Sequence, residues 1–397
     1  MKSCVPSRHL PRRGSHLVCV TNAVPNGLQR CVAVGYVAST TVQDTYTAEL
    51  LHIVREAGAD RVGVTSAEPL TRARAAIEAR VASGMADDMQ FTFRNPQRST
   101  TPTMSVPGAR SIIVAARSYF VDDQSANSAG RVSDSSVVGT VARYAWRDHY
   151  APLRDALRAA AKRLKHDGHR ATVFADDNSI VDREVAYRAG LGWFGKNANL
   201  LVEGLGSWFV LGCVVTTAEL QHTERVVADG CGACTRCIDA CPTGAIVAPG
   251  VVDARKCLAW LIQKPGVFDL RYRDALGTRI YGCDDCQEVC PPSRRGAIER
   301  TVGDERSVVA ALELLTAPDG EVMRIVGAWY VADRNPRWVR RNALIILGNS
   351  GRAGGSVTRA QDVALVLARY LHGDDDLLRE HATWAAHKLG RRDLLVD

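Results

Sequence analysis

The 397-residue sequence has no apolar run long enough to cross a membrane, which takes about 20 residues of helix. It has no Gly-x-Gly-x-x-Gly turn leading from a strand into a helix, and no Walker A loop. Neither a dinucleotide nor a nucleoside triphosphate is therefore signalled. A convincing secretion signal is also lacking. Arg12-Arg13 precedes a modestly apolar stretch, residues 17–24, in the manner of a twin-arginine export signal. Asn22 interrupts that stretch, Pro25 follows it, and no small-residue cleavage site is clear. Residues 1–44 show no amphipathic period and are set apart as an extension, disordered or upstream of the true start. The expected location is cytoplasmic. Neither sign of charge dominates: 50 Lys and Arg stand against 43 Asp and Glu, a net +7. That mild excess suits an anionic partner such as nucleic acid without requiring one. At 46% hydrophobic and 23% charged residues, the chain is an ordinary globular one, long enough for two or three domains.

What the chain does have is cysteine in a pattern. Of its twelve cysteines, eight fall between Cys231 and Cys290. The stretch opens with Cys231-Gly-Ala-Cys234-Thr-Arg-Cys237-Ile-Asp-Ala-Cys241-Pro242 and closes with Cys283-Asp-Asp-Cys286-Gln-Glu-Val-Cys290-Pro291, with Cys257 between. The first run has the bacterial ferredoxin spacing, whose fourth cysteine goes to the other cluster. Cysteines three apart in a tight turn can aim their sulfurs at neighbouring corners of one cube, and the proline after the last one ends the turn. Eight thiolates suffice for two [4Fe–4S] clusters. The crossed assignment gives Cys231, Cys234, Cys237 and Cys290 to one cluster and Cys241, Cys257, Cys283 and Cys286 to the other. A disulfide framework suits short secreted chains. Zinc would be satisfied by four ligands and leaves the Cys-Pro pattern unexplained. Cys4, Cys19, Cys31 and Cys213 show no metal spacing and read as free thiols.

Upstream, helices and strands alternate. Leu50, Leu51, Val54 and Ala57 mark one helix face, ended by Gly58. Strands are expected at 61–65, 111–116, 171–175 and 208–215, and helices at 71–82, 153–164 and 184–189. Residues 122–136, rich in Ser, Asp and Gly, read as a surface loop. The alternation argues for an α/β (α+β) domain over 45–228, whose sites would lie beyond the carboxyl ends of strands. Residues 229–295 would be a ferredoxin-type domain, stabilised largely by its metal centres. Residues 296–397 read as helical. Two similar segments there, starting at Asn335 and Asp375, lie close to the ~40-residue period of HEAT-like repeats. Arg334, Arg337, Arg340 and Arg341 are expected on one helical face, which is either a solvated face or a phosphate-contacting patch.

About three quarters of the chain lies outside the cysteine stretch, more than an electron carrier needs. Clusters within such a scaffold suggest delivery of single electrons to a second centre. Cobalamin is one candidate. The Asp-x-His-x-x-Gly motif of some cobalamin proteins is absent, and Asp167-Gly-His169 only approaches it. Asp176 follows an expected buried strand. A carboxyl in such a crevice can have its pKa raised and donate a proton, while Asp177 could cap a helix. The glycines of Gly190-Leu-Gly-Trp-Phe-Gly195 admit either a close planar ligand or a tight turn.

Taken in order, further runs make the chain resemble the epoxyqueuosine reductases. These are Arg143-Tyr-Ala, Asp176 before Ile180-Val-Asp-Arg183, Gly190-Leu-Gly-Trp-Phe-Gly-Lys196, Gly206-Ser-Trp-Phe209 and both cysteine runs. Then come Arg279-Ile-Tyr-Gly-Cys-Asp-Asp-Cys286, Arg337-Trp-Val-Arg-Arg-Asn342 with Leu347-Gly-Asn349, and Glu380-His-Ala-Thr-Trp384. The resemblance covers roughly residues 46–390.

The resemblance implies a cobalamin- and iron–sulfur-dependent oxidoreductase that performs the last step of queuosine formation in tRNA. It implies cob(II)alamin bound base-off between the α/β domain and the two [4Fe–4S] clusters, and Asp176 as proton donor. It places Arg94, Leu200, Leu211, Ala259, Cys283 and Asp284 with Asp176 at or near cobalamin positions, and Lys264 near a tRNA contact; Arg337, Arg340 and Arg341 are the further candidate tRNA contacts. Its partners would be tRNA bearing epoxyqueuosine at the anticodon wobble position and an external low-potential electron donor. No membrane partner is expected, and the chain would act as a monomer. The chain departs from the family pattern at Trp146-Arg-Asp-His-Tyr150, Ala259-Trp-Leu-Ile262 and Asp176-Asp-Asn-Ser179, on the substrate side. A corrinoid reductive dehalogenase and a plain iron–sulfur electron carrier are the competing readings.

Overall fold

The structure is a computed structural model that describes residues 42–121, 137–223, 225–295, 307–327, 329–351 and 357–395. The expected extension, through residue 41, and the expected loop at 122–136 lie outside these residues, as do Cys4, Cys19 and Cys31. Val42–Asp397 is one compact unit. Its strands are β1 (Arg61–Ser66), β2 (Ser111–Ser118), β3 (Val138–Val141), β4 (Ala171–Ala175), β5 (Gly192–Phe194), β6 (Leu200–Val202), β7 (Phe209–Thr216), β8 (Ile246–Ala248), β9 (Val251–Val252), β10 (Arg279–Tyr281) and β11 (Val308–Ala310).

The main sheet has the order β1-β2-β7-β4. β2 and β7 take its middle because both are near-continuous apolar runs, buried along almost their whole length. Successive residues point to opposite faces. Ile113 and Ala115 pack with Leu50, Val54, Leu153 and Leu157 from the helices Val42–Glu56 and Tyr150–His166. Ile112, Val114 and Ala116 pack with Ala73, Val185 and Ala186 from the helices Thr71–Ala82 and Asp182–Arg188. Cys213 lies in this second layer, where burial raises its thiol pKa.

Every pairing in this sheet is antiparallel. This corrects the expectation drawn from helix–strand alternation. Alternation gives the order of elements along the chain, not the direction in which a strand returns. The α+β half of the expected class is the one that holds, and a rule for parallel strand ends does not place the site. Asp176 follows β4 at the edge where β2 ends and β7 begins, since Ser118 pairs with Phe209 and Ala175 with Gly212.

A second sheet has the order β10-β3-β11. β3 precedes the cysteine stretch in sequence, β10 lies within it and β11 follows it. One apolar cluster likewise joins Val141 and Trp146 to Leu258, Phe268 and Ile280, and these to Leu314, Leu344 and Ala382. The divisions at residues 228 and 295 are divisions of sequence that the core crosses.

Three helices end the chain: Arg337–Ser350, Val357–Leu371 and Asp376–Lys388. The first and third pack closely at Gly348, where a Cβ would meet the Trp384 ring at 2.5 Å. The four arginines do not share a face. Arg334 precedes the helix, in the turn Ala332–Arg334. Arg341 is only 1% exposed. Its guanidinium donates to the carbonyls of Leu261, Ile262, Lys264 and Gly266. It therefore joins the tail to the cysteine stretch and is not available to a phosphate. No helix among the described residues is long and apolar enough to cross a membrane.

Candidate active site

The eight cysteines lie within electrostatic reach of one another. Burial raises the pKa of the Cys237 thiol, and Cys290, Cys231 and Cys234 add to it. Cys290 in turn feels Cys231 and Cys234. In the other set Cys257 feels Cys241. Cys283, pushed up to about 12 by burial first, feels Cys257, and Cys286 feels Cys283 and Cys257 and, across the two sets, Cys237. Thiols this hard to ionise become thiolates by binding metal. Among the described residues no three His, Cys, Asp or Glu converge on a single ion. One zinc would draw its sulfurs together at about 2.3 Å from a common centre, whereas a four-iron cube holds them apart around its corners. The donor set is eight free cysteines, the number that two four-iron clusters need. In the second set the Ala245 N–H donates to Cys241 Sγ at 3.2 Å.

A cavity of about 630 Å³ opens beside the second set. All four of Cys241, Cys257, Cys283 and Cys286 line it, and none of Cys231, Cys234, Cys237 and Cys290 does. Leu200 and the start of β7 also line it, as do Met89, Phe91 and Phe93. Of the seven residues implied as cobalamin contacts, Leu200, Leu211, Ala259, Cys283 and Asp284 line this cavity. Arg94 and Asp176 are not among the lining residues. Arg94 is exposed and follows the short turn Phe91–Phe93, whose two phenylalanines line the wall.

Asp176 is also exposed, with φ +57°. That left-handed conformation costs a non-glycine residue on the order of 1–2 kcal/mol, and such strain clusters at functional sites. The crevice strips part of the water from its carboxyl and raises its pKa; Arg154 opposes the rise, while Asp148 and Asp177 reinforce it. Tyr150 and Asp182 both line the cavity, and both feel the Asp176 charge. Asp176 is thus within electrostatic reach of two lining residues without itself lining the cavity. Asp177 does not cap the following helix. Its Oδ1 accepts from the Ser179 N–H at 2.7 Å, forming a local turn.

The glycines of 190–195 serve the hairpin β5–β6, not a planar ligand. A Cβ at Gly190 would meet Arg225 O at 2.4 Å, and one at Gly192 would meet Leu201 O at 2.0 Å. Gly190, Gly192 and Gly195 carry the spacing of a dinucleotide turn, but Gly192 begins β5 and Gly195 directly follows it, so the run forms a hairpin and supplies no helix N-terminus for a phosphate.

Several site residues had no legible role in the sequence. Arg143 is buried; its N–H donates to Asp284 Oδ2 at 2.7 Å and its Nε to Val121 O at 3.1 Å, while its guanidinium pairs with Glu288 and lies 4.9 Å from the Trp208 ring. Asp284, pushed up to about 6 by burial, is held between Arg143 and Gln287 Nε2. Tyr119, Tyr144 and Tyr150 line the cavity, and Gln263 Nε2 donates to Tyr144 Oη at 3.3 Å. The Arg143-Tyr-Ala run pointed at this corner, but its partners lie some 140 residues away.

Known proteins resemble this chain in sequence and in fold. Residues 230–293 match the family described as 4Fe-4S double cluster binding domain, and residues 100–177 match Epoxyqueuosine reductase QueG, DUF1730. The epoxyqueuosine reductase of Xanthomonas campestris pv. campestris is 33% identical over 362 residues, covering 86% of this chain and 96% of that one. This chain belongs to the epoxyqueuosine reductase family. The Vibrio cholerae epoxyqueuosine reductase is likewise 33% identical, covering 83% of this chain and 88% of its own. The solved epoxyqueuosine reductase of Bacillus subtilis, with its catalytic aspartate loop swung out of the active site, superposes with a TM-score of 0.77 at 27% identity. It covers 88% of this chain and 93% of that chain. An epoxyqueuosine reductase solved with an epoxyqueuosine-modified tRNA-Tyr stem loop gives a TM-score of 0.76 at 27% identity, covering 87% and 90%. The double-cluster match encloses all eight cysteines, and the reductase match includes Asp176.

Proposed function

We propose that this chain reduces the epoxide of epoxyqueuosine in tRNA to give queuosine, using cob(II)alamin and two [4Fe–4S] clusters. The observation that carries the reading is the cavity wall: Cys241, Cys257, Cys283 and Cys286 line it, and so does Tyr150, which feels the charge of Asp176. Family membership and the tRNA-bound relative support the substrate.

The residues divide the chemistry between them. Two electrons and two protons convert the epoxide to a cyclopentene and water. Cys231, Cys234, Cys237 and Cys290 would hold one cluster, and Cys241, Cys257, Cys283 and Cys286 would hold the other beside the cavity; the pair would supply one-electron redox chemistry fed by an external low-potential donor. Leu200, Leu211, Ala259, Cys283 and Asp284 would hold cobalamin, with Arg94 as a further contact next to the lining turn Phe91–Phe93, and the cofactor would supply a one-electron redox centre able to engage the epoxide carbon. The cavity joins an apolar lining, Leu200, Leu211 and Ala259 among it, to polar side chains such as Asn197 and Gln263, which suits a corrin macrocycle fringed with carboxamides. Asp176 donates the proton that lets the epoxide oxygen leave, and its raised pKa keeps the acid form populated at higher pH.

The tRNA contacts proposed for Lys264, Arg337 and Arg340 each require a phosphate to replace a carboxylate. Lys264 is paired with Asp87, Arg337 with Asp375 and Arg340 with Asp319. A cytoplasmic monomer goes with this reading.

The test is anaerobic purification with added cobalamin, followed by a visible spectrum, an iron assay and incubation with tRNA carrying epoxyqueuosine. The expected result is bound corrinoid, two clusters and queuosine in the digested tRNA. Iron without corrinoid would instead mark an electron carrier. Corrinoid and iron without change in that tRNA would remove this substrate.

A further inference from the structure

The turn between β5 and β6 touches both cysteine sets, with a charge on one side only. Lys196 Nζ donates to Gly232 O at 2.7 Å, inside the Cys231–Cys234 turn. Gly232 has φ +48°, a conformation open to glycine at little cost, and no Cβ shields its carbonyl. One residue on, the buried Asn197 donates from Nδ2 to Cys286 O at 3.3 Å, in the second set. The lysine is fixed at both ends. Its own carbonyl accepts the Gly250 N–H at 2.9 Å. Trp193, on the same hairpin, closes over Gly230, where a Cβ would meet the indole at 2.7 Å.

The set beside the lysine is the one that does not line the cavity. Gly232, Ala233, Thr235 and Arg236 around it are exposed, so an outside donor reaches this cluster first. Two carboxylates share its turn. Asp229 Oδ1 accepts the Cys231 N–H at 2.8 Å, and Asp239 accepts from Thr235 Oγ1 at 2.8 Å. Negative charge near a cluster opposes the arrival of an electron, and a fixed cation favours it, more strongly the nearer it lies. Cluster potentials respond to local charge and hydrogen bonding.

We propose that Lys196 is a positioning residue that raises the potential of the cluster held by Cys231, Cys234, Cys237 and Cys290, making it the entry point for external electrons. Asn197 gives the second set a neutral contact and leaves its potential alone. The inference rests on the two-cluster reading and not on the substrate, so it can stand or fall separately from epoxide reduction.

The full chain with both clusters reconstituted, without tRNA, is titrated by electron paramagnetic resonance at controlled potential, with iron measured alongside. Lys196→Gln is expected to keep its iron and to lower one of the two cluster potentials. The reduced-to-oxidised ratio of that cluster at fixed poise should fall about tenfold, a 59 mV shift for one electron. The other potential stays in place, and Lys196→Arg restores the first. Any other pattern overturns the proposal: unchanged potentials, equal shifts of both, a rise, no restoration by arginine, or loss of iron from Lys196→Gln.

Discussion

Lys264 Nζ lies 2.8 Å from both carboxylate oxygens of Asp87, and the same carboxylate accepts Trp260 Nε1 at 2.8 Å. Asp87 is itself at φ +52°, in the segment that carries Phe91 and Phe93 to the cavity. The pair therefore fastens one cavity wall to the cysteine stretch through an amine that also suits a phosphate. Replacing Lys264 with Met should lower the slope of log affinity for tRNA against log salt by about one. Asp87→Asn, which releases the amine, should tighten binding at low salt. Filter binding across a salt series reads both, and an unchanged slope in Lys264→Met would remove the lysine from the RNA surface.

Asp176 sets the pH dependence. A proton donor acts in its acid form, so activity falls as pH rises through its pKa, and a raised pKa carries activity to higher pH. Arg154 holds that pKa down against the loss of water in the crevice. Arg154→Met should therefore move the basic limb of the kcat/KM profile upward in pH. A limb that stays in place or moves down would contradict this placement of the charges.

Arg341 is a structural residue. Its guanidinium holds four backbone carbonyls from residues 261–266 and the Asn342 side chain. Arg341→Ala leaves these buried acceptors unsatisfied, at a cost of roughly 3 kcal/mol. The loss should appear as a lower urea midpoint. A variant of native stability with weak tRNA binding would return Arg341 to the RNA surface.

His381 should make the fold acid-sensitive. It is fully buried, and its Nε2 accepts the Phe268 N–H at 3.2 Å while its Nδ1 faces Leu377 O at 2.7 Å, the neutral tautomer. Burial first, and Arg273 with it, push its pKa down to about 4, against the pull of Leu377 O and Glu380. The unfolded chain takes up a proton near pH 6.5, so stability is full above that value and drains away as pH falls toward 4. The loss is about 2 kcal/mol by pH 5. Urea midpoints at pH 7 and pH 5 should differ less in His381→Gln than in the parent chain.

Much of this was legible in the sequence. Strand 171–175 and helix 71–82 were bounded correctly because apolar period and glycine stops mark them. The double-cluster region was legible from cysteine spacing, and the matched segment 230–293 encloses all eight. Strand direction was not legible, because β2 and β7 carry the same apolar run whichever way they pair. The arginines at 337–341 looked like one basic face because a helix period assigns neighbours but not depth. Only the carbonyls of 261–266, distant in sequence, show that Arg341 points inward. The cavity's Arg143–Asp284 contact spans the same kind of distance.

Everything proposed for the reaction turns on Asp176 donating the proton near the cavity that Cys241, Cys257, Cys283 and Cys286 line. The decisive experiment is single-turnover conversion of epoxyqueuosine in tRNA, with parent chain and Asp176→Asn loaded equally with iron and corrinoid. Queuosine is expected from the parent, and a rate at least 10²–10⁴-fold lower from the variant. Equal rates from the two would contradict the assignment of Asp176.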